Sequence, residues 1–129
     1  MSSTSPSSDL RGLRVLLVED SYLVASSLSR MIHDMGCEVV GPVATVEEAL
    51  PLVSEGACDV GILDVNLGGQ TSEPVANRFT ELKLPFMFVT GYSSPSLMSR
   101  RFDDIRRVHK PVSEAALTMA IRQTVDGGA

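Results

Sequence analysis

The sequence predicts an α/β fold in which a five-stranded parallel sheet is doubly wound, with helices on both faces. Three observations lead there. Five short apolar runs, rich in branched or aromatic residues, are spread along the 129 residues, as strands buried on both faces require. Segments with apolar residues at helical spacing lie between them, the alternation that builds a parallel sheet. Most of the runs end abruptly on an acid, a hydroxyl or an amine.

Taken in order, Arg14-Val15-Leu16-Leu17-Val18 is the first strand and stops at Glu19-Asp20. Val24, Leu28, Met31, Ile32 and Met35 then mark a helix from Ser21 to Met35, with Gly36 as its stop. Cys37 to Val40 is the second strand, closed by Gly41-Pro42. Thr45-Val46-Glu47-Glu48 is a capping box, but Pro51 keeps the helix it opens short or kinked. Val60-Gly61-Ile62-Leu63 is the third strand and ends on Asp64. Pro74 sits in the first turn of the next helix, whose inner stripe is Val75, Ala76, Phe79 and Leu82. Phe86-Met87-Phe88-Val89 is the fourth strand, ending at Thr90-Gly91, and Ser93 to Asp104 is expected to hold a short or mobile helix. Ile105 to His109 is the fifth strand, ending at Lys110-Pro111; after Lys110 the proline fits either a cis peptide or a plain turn. Ser113 opens the last helix, with Ala116, Leu117, Ala120, Ile121 and Val125 on one face. Right-handed crossovers leave few windings for such a unit, and the flavodoxin-like order 2-1-3-4-5 is the expected one.

Composition agrees with a single domain, assigned to residues 12–126 between a disordered Ser-rich tail over 1–11 and a flexible end over 127–129. With 43% hydrophobic residues and 21% charged, the chain can bury roughly two thirds of its unfolded surface. Disorder is excluded on the same ground. A net charge of −5 disfavours nucleic acid and anionic lipid as partners. No stretch reaches the ~20 apolar residues of a membrane span, and the N-terminus lacks the features of a secretory signal, so a cytoplasmic location is expected. The starting Met and the Gly-Gly-Ala end read as a complete product. Cys37 and Cys58 fall two strands apart, roughly 9–10 Å at the usual strand spacing; they are expected to be free thiols.

The strand ends carry the chemistry. Asp20, Asp64, Thr90 and Lys110 lie 44, 26 and 20 positions apart, yet the fold gathers them where ligands bind such sheets, outside the carboxyl ends of the strands. Glu19, Asp20 and Asp64 would repel one another by about 4 kcal/mol per pair at ~4 Å and an effective dielectric of ~20. One acid must keep its proton, or a cation must neutralise the set. Oxygen donors alone favour a hard ion, and Mg²⁺ suits carboxylates with waters and a phosphate. Phosphoryl transfer to a carboxylate uses all these groups: Asp64 as nucleophile, Thr90 and Lys110 toward phosphoryl oxygens, and Gly91 leaving the approach open. His33 is read as solvated and His109 as structural. Arg100, Arg101, Arg106 and Arg107 are read as a solvated face, with a docking surface for an acidic partner as the other reading.

At these strand ends, Glu19-Asp20, Asp64, Thr90 and Lys110-Pro111 resemble the receiver domain of bacterial two-component response regulators, over about residues 12 to 126. The resemblance implies that Asp64 accepts a phosphoryl group from a phosphohistidine on a sensor kinase. It implies direct Mg²⁺ ligation by Asp20 and Asp64, with Glu19 acting through water and Asn66 through its backbone carbonyl. The run Pro85-Phe86-Met87-Phe88-Val89-Thr90-Gly91-Tyr92 is similar to a subgroup of single-domain receivers named for a Phe-Ala-Thr-Gly-X-Tyr-like (FATGUY) motif, whose partners are HWE-type histidine kinases. Here Val89 replaces the Ala and Tyr92 follows Gly91 directly.

One position departs from the pattern. Receivers place an aromatic residue three before the lysine, and this chain has Arg107 there. Tyr92, or movement of 93–104, is therefore expected to report phosphorylation, and Tyr92 to slow hydrolysis of the acyl phosphate. The expected function is a stand-alone phosphoacceptor acting through a downstream protein or phosphotransfer partner, and not an enzyme on other substrates. The rivals are a receiver fragment, a phosphorylation-independent interaction module, and a small haloacid dehalogenase-like phosphohydrolase. That last class needs a second acid two residues after the nucleophile, where this chain has Asn66.

Overall fold

The computed structural model describes residues 10–91 and 98–127 and arranges the five strands in the order β2-β1-β3-β4-β5, all neighbours parallel. The strands are β1 (Arg14–Val18), β2 (Glu38–Val43), β3 (Val60–Asp64), β4 (Phe86–Thr90) and β5 (Arg107–His109). The helices are α1 (Tyr22–Asp34), α2 (Val46–Ala49), α3 (Glu73–Glu81) and α4 (Glu114–Gly127), with 3₁₀ turns at Leu50–Leu52 and Arg100–Phe102.

Alternation along each strand divides the interior into two cores. Leu16, Val18, Leu63, Phe86 and Phe88 face one side, with α2 and α3. Val15, Leu17, Val60, Ile62, Met87 and Val89 face the other, with α1 and α4. Two-sided burial is why these strands read as unbroken apolar runs rather than as alternating ones.

The helix ends follow local chemistry. The Ser21 hydroxyl accepts from the Val24 amide at the start of α1. At α2 the Thr45 hydroxyl accepts from the Glu48 amide at 3.1 Å, while the Glu48 carboxylate reaches one residue further back, to the Ala44 amide at 3.0 Å. Pro51 then tightens the chain into the 3₁₀ turn.

Several boundaries differ from expectation. β2 continues through Gly41-Pro42 to Val43, absorbing a register shift between Leu16 and Val18; that proline tolerates it because β2 is an edge strand. Gly41-Pro42 and Lys110-Pro111 are both cis. Leu10 is buried rather than solvated, and its carbonyl accepts the Cys37 thiol at 3.3 Å. β5 begins at Arg107 and is only three residues long. Within 93–104, the described part is a 3₁₀ turn at Arg100–Phe102; residues 92–97 lie outside the described ones, as do 1–9 and 128–129. On α4, Ala116 is exposed and Thr124 is buried in the interface, and the helix runs through Gly127. Cys37 and Cys58 are buried free thiols, and His33 is exposed. His109 is also exposed at the sheet edge rather than packed.

The aromatic residues tie the α3 side together. All four phenylalanines of the chain meet there, with ring centroids 5.5 Å apart for Phe79–Phe86, 5.7 Å for Phe86–Phe88 and 6.2 Å for both Phe86–Phe102 and Phe88–Phe102. Gly61 makes room for them, since a Cβ on it would lie 2.4 Å from Phe79 Cζ. Gly61→Ala is therefore expected to lose about 1–3 kcal/mol by overpacking, measured by urea denaturation. Adding Phe79→Leu should cost less in that background than in the wild type, because the two changes share one space.

Candidate functional site

Register delivers the polar residues to one level. Val18 pairs with Leu63, Asp64 with Val89, and Thr90 with His109, so Glu19-Asp20, Asp64, Thr90 and Lys110 all leave the sheet at the same edge. The Lys110 amide donates to the Thr90 carbonyl at 3.0 Å, extending the β4–β5 ladder one step into the site.

At the centre, Lys110 Nζ lies 3.1 Å from Asp64 Oδ2 and 2.9 Å from Glu19 Oε1. The two carboxylates are buried, at 1% and 6% side-chain exposure for Glu19 and Asp64, whereas Lys110 keeps 22%. Glu19 is oriented by its own backbone: its Oε2 accepts the Ser21 amide at 3.0 Å, and its amide donates to the Val43 carbonyl. Asp64 Oδ1 accepts the Asn66 amide at 3.3 Å. Ligand atoms of Glu19, Asp20 and Asp64 all lie within 4.8 Å of one another. Asp20 is exposed at the mouth. Thr90 is buried, and its hydroxyl donates to the Gly91 carbonyl at 3.1 Å. Among the described residues, a Cβ at Gly91 would meet nothing within 4 Å.

The charges are unevenly shared. Burial pushes the Glu19 carboxyl up to about 7, against the Ser21 amide bond and the nearby Lys110 ammonium, and the neighbouring Asp64 charge adds to the rise. For Lys110, burial pulls the ammonium down, but Glu19 and Asp64 together outweigh it and leave it raised. The two directions are compatible because one ammonium serves two acids. Lysine gains both attractions, while Glu19 gains half a partner and a like charge.

The donor set fits a divalent ion. All three acids offer oxygen only, and the buried Glu19 Oε1 has no hydrogen-bond partner; its contact with Lys110 has ion-pair distance without hydrogen-bond alignment. Three carboxylates within 4.8 Å of one another, with one ammonium between two of them, suit a hydrated hard cation.

The sequence profile of the response regulator receiver domain matches residues 15–122. The chain belongs to this family. It is therefore a phosphoacceptor domain of two-component signalling, a family that works with histidine kinases and downstream proteins. Its curated relatives include the sensory transduction protein LytT of Bacillus cereus, 25% identical over 86% of this chain and 46% of that protein. Others are the transcriptional regulatory protein PdtaR of Mycobacterium tuberculosis, 29% identical over 87% and 56%, and the phyllosphere-induced regulator PhyR of Methylorubrum extorquens, 27% over 86% and 43%. The chain thus spans about half the length of these relatives. Among solved structures, SdrG of Sphingomonas melonis Fr1 is 38% identical with a TM-score of 0.76, covering 85% of this chain and 93% of that one. No helix of the described residues is long and apolar enough to cross a membrane.

Of the residues expected at the site, Glu19, Asp20, Asp64, Thr90, Gly91 and Lys110 come together, and Asn66 adjoins them through its amide. Tyr92 lies outside the described residues. Arg107 is held away from the site: its guanidinium sits 5.2 Å from the Phe88 ring centroid and donates to the Asp103 and Ile105 carbonyls. The four arginines do not form one face. Arg106 turns to the Thr124 hydroxyl on α4, while Arg107 turns to the opposite side of the sheet, as strand alternation dictates. Two groups escaped the sequence reading. Gly68-Gly69, a dipeptide typical of tight hairpin turns, brings the loop after β3 over Asp20. Glu73 binds the Ser99 amide at 3.0 Å and also its hydroxyl, tying α3 to the turn after β4; nothing in the local pattern signals a pair 26 residues apart.

With divalent ions chelated, the site should make stability fall as pH rises. Folded Glu19 titrates near 7 against an ordinary 4.5, so between those values the folded state holds more proton than the unfolded one. Urea unfolding at pH 5 and 7 is expected to show a loss of about 2–3 kcal/mol from this group, and Glu19→Gln should remove that part of the slope.

Proposed function

We propose that Asp64 is the phosphoacceptor of a stand-alone receiver and that a sensor histidine kinase, of the HWE type, supplies the phosphoryl group. The observation that carries this reading is the Lys110 ammonium, held 3.1 Å from Asp64 Oδ2 inside a cluster of three carboxylates. Asp20 and Asp64 would hold Mg²⁺ directly, Glu19 through water and Asn66 through its carbonyl. Bound there, the ion offsets charge on the transferring phosphoryl group.

The chain's own residues do the rest. An Asp64 carboxylate oxygen attacks phosphorus, the phosphorus–nitrogen bond of the phosphohistidine breaks, and the bond's electrons leave with the imidazole. Lys110 sits beside the nucleophile with its charge intact across the working pH range, so it stabilises charge on an equatorial oxygen. Thr90, already at the rim, exchanges the Gly91 carbonyl for a phosphoryl oxygen. Arg107 cannot supply the aromatic switch, and Tyr92 with the segment after it takes over the readout. The domain spans 12–126 with the added Leu10 anchor, works in the cytoplasm, acts through a protein or phosphotransfer partner, and catalyses only its own phosphotransfer and dephosphorylation.

Incubation with Mg²⁺ and acetyl phosphate should add one phosphoryl group by mass spectrometry, and Asp64→Ala should abolish it. No gain in the wild type would leave a phosphorylation-independent interaction module, while steady phosphate release from small phosphomonoesters would instead mean a hydrolase. The phosphoryl group is expected to persist longer on the wild type than on Tyr92→Ala; equal or shorter lifetimes would remove Tyr92 from water control.

A further inference from the structure

The loop between β3 and α3 is a miniature hairpin. Asn66 and Thr71 pair as an antiparallel bridge, the Leu67 amide donates to the Gln70 carbonyl at 2.7 Å, and the Ser72 amide donates to the Val65 carbonyl at 3.0 Å. Leu67 is buried in the α3-side core and anchors it. The tip is Gly68-Gly69, with φ of +65° and +107°, both positive as a two-residue primed turn demands.

The two glycines differ in what lies beside them. A Cβ on Gly68 would stand 3.1 Å from Asp20 Oδ2, whereas one on Gly69 would meet nothing within 4 Å. The tip therefore borders the exposed acid of the cluster, and only the missing side chain of Gly68 leaves that carboxylate its position.

We propose that Gly68 is a positioning residue for Asp20 and sets the preference of the site for a small divalent cation. The proposal rests on the reading of the carboxylate cluster as a Mg²⁺ site. A side chain at 68 must displace Asp20 by a few tenths of an ångström. Mg²⁺ demands near-ideal octahedral geometry at ~2.0–2.1 Å, whereas Ca²⁺ accepts looser, longer coordination. Displacement of Asp20 thus penalises Mg²⁺ more than Ca²⁺, and the ratio of the two affinities reports it. Backbone strain at a glycine lowers stability but has no reason to alter that ratio.

The paired variants Gly68→Ala and Gly69→Ala separate the two effects. Both impose positive φ on alanine, and Gly69, further from the left-handed well near +57°, should show the larger fall in Tm. Calorimetric titration with MgCl₂ and with CaCl₂, on wild type, both variants and Asp20→Asn, provides the test. Gly68→Ala is expected to weaken Mg²⁺ binding by about tenfold, the low end for residues that orient a ligand, and Ca²⁺ binding by less. Gly69→Ala should bind both ions as the wild type does. An unchanged Mg²⁺/Ca²⁺ ratio in Gly68→Ala, or an equal change in Gly69→Ala, overturns the proposal alone. Failure of the wild type to bind Mg²⁺, or undiminished binding by Asp20→Asn, overturns the metal-site reading beneath it.

Discussion

A single ammonium group holds two buried carboxylates in this protein, and the arrangement of the site follows from how little else can. Glu19 and Asp64 stand at the ends of neighbouring central strands, both almost without solvent. Unpaired charges there would each cost several kcal/mol of desolvation. Lys110 reaches them from the far edge of the sheet, across β4, and keeps enough exposure to stay charged. Burial pushes Glu19 toward its protonated form, and one positive charge against two negative ones does not offset it. A site with one charge too few is stable only provisionally. Its three acids could bind a cation, which would supply the missing positive charge.

The scaffold's task is to keep those strand ends level, and the two-sided packing does so. Each central strand is gripped by α1 and α4 on one face and by α2 and α3 on the other, so a slip by one residue would expose an entire row of Leu, Val, Ile and Phe. Gly61 lets Phe79 close directly on the middle of β3, and the aromatic cluster carries that contact out to Phe102 beyond β4. The segment after the threonine is thus anchored at its far end by Phe102 and by the Glu73–Ser99 contact.

The sheet, its order and the polar strand ends were legible because each rests on a short-range signal. Apolar runs mark strands, helical spacing marks the connectors, and an abrupt polar residue marks where a parallel strand ends. What stayed hidden depends on contacts between distant segments. Leu10 looks like part of a polar tail until the Cys37 thiol donates to its carbonyl and the Gly36 carbonyl holds the Gly12 amide two residues on. β2 continues through Gly41-Pro42 because an edge strand has a free side. Thr124, not Ala116, completes the buried stripe of α4: with Leu117, Ala120 and Ile121 it keeps helical spacing, and only its hydroxyl hid it from a reading of apolar residues. The four arginines looked like one patch in sequence, and strand alternation divided them. At the site, the membership of Glu19, Asp20, Asp64, Thr90 and Lys110 was readable, but not their unequal burial, which sets the electrostatics.

Arg107 shows how far such a departure propagates. An aromatic side chain at that position would have two resting places, one outside and one inside, and little to choose between them. A guanidinium laid on the Phe88 ring and bonded to two carbonyls of its own approach to β5 has one place. Moving it inward would strip those bonds and bring a second cation toward Lys110. The strand is only three residues long, and its pairing with β4 begins at Phe88–Arg107, the same two residues that stack. Arg107 is therefore held at three points, by one ring and two carbonyls. The ring it rests on belongs to β4, the strand that ends at Thr90, so the same stacking ties the approach to β5 to the strand that carries the hydroxyl into the site.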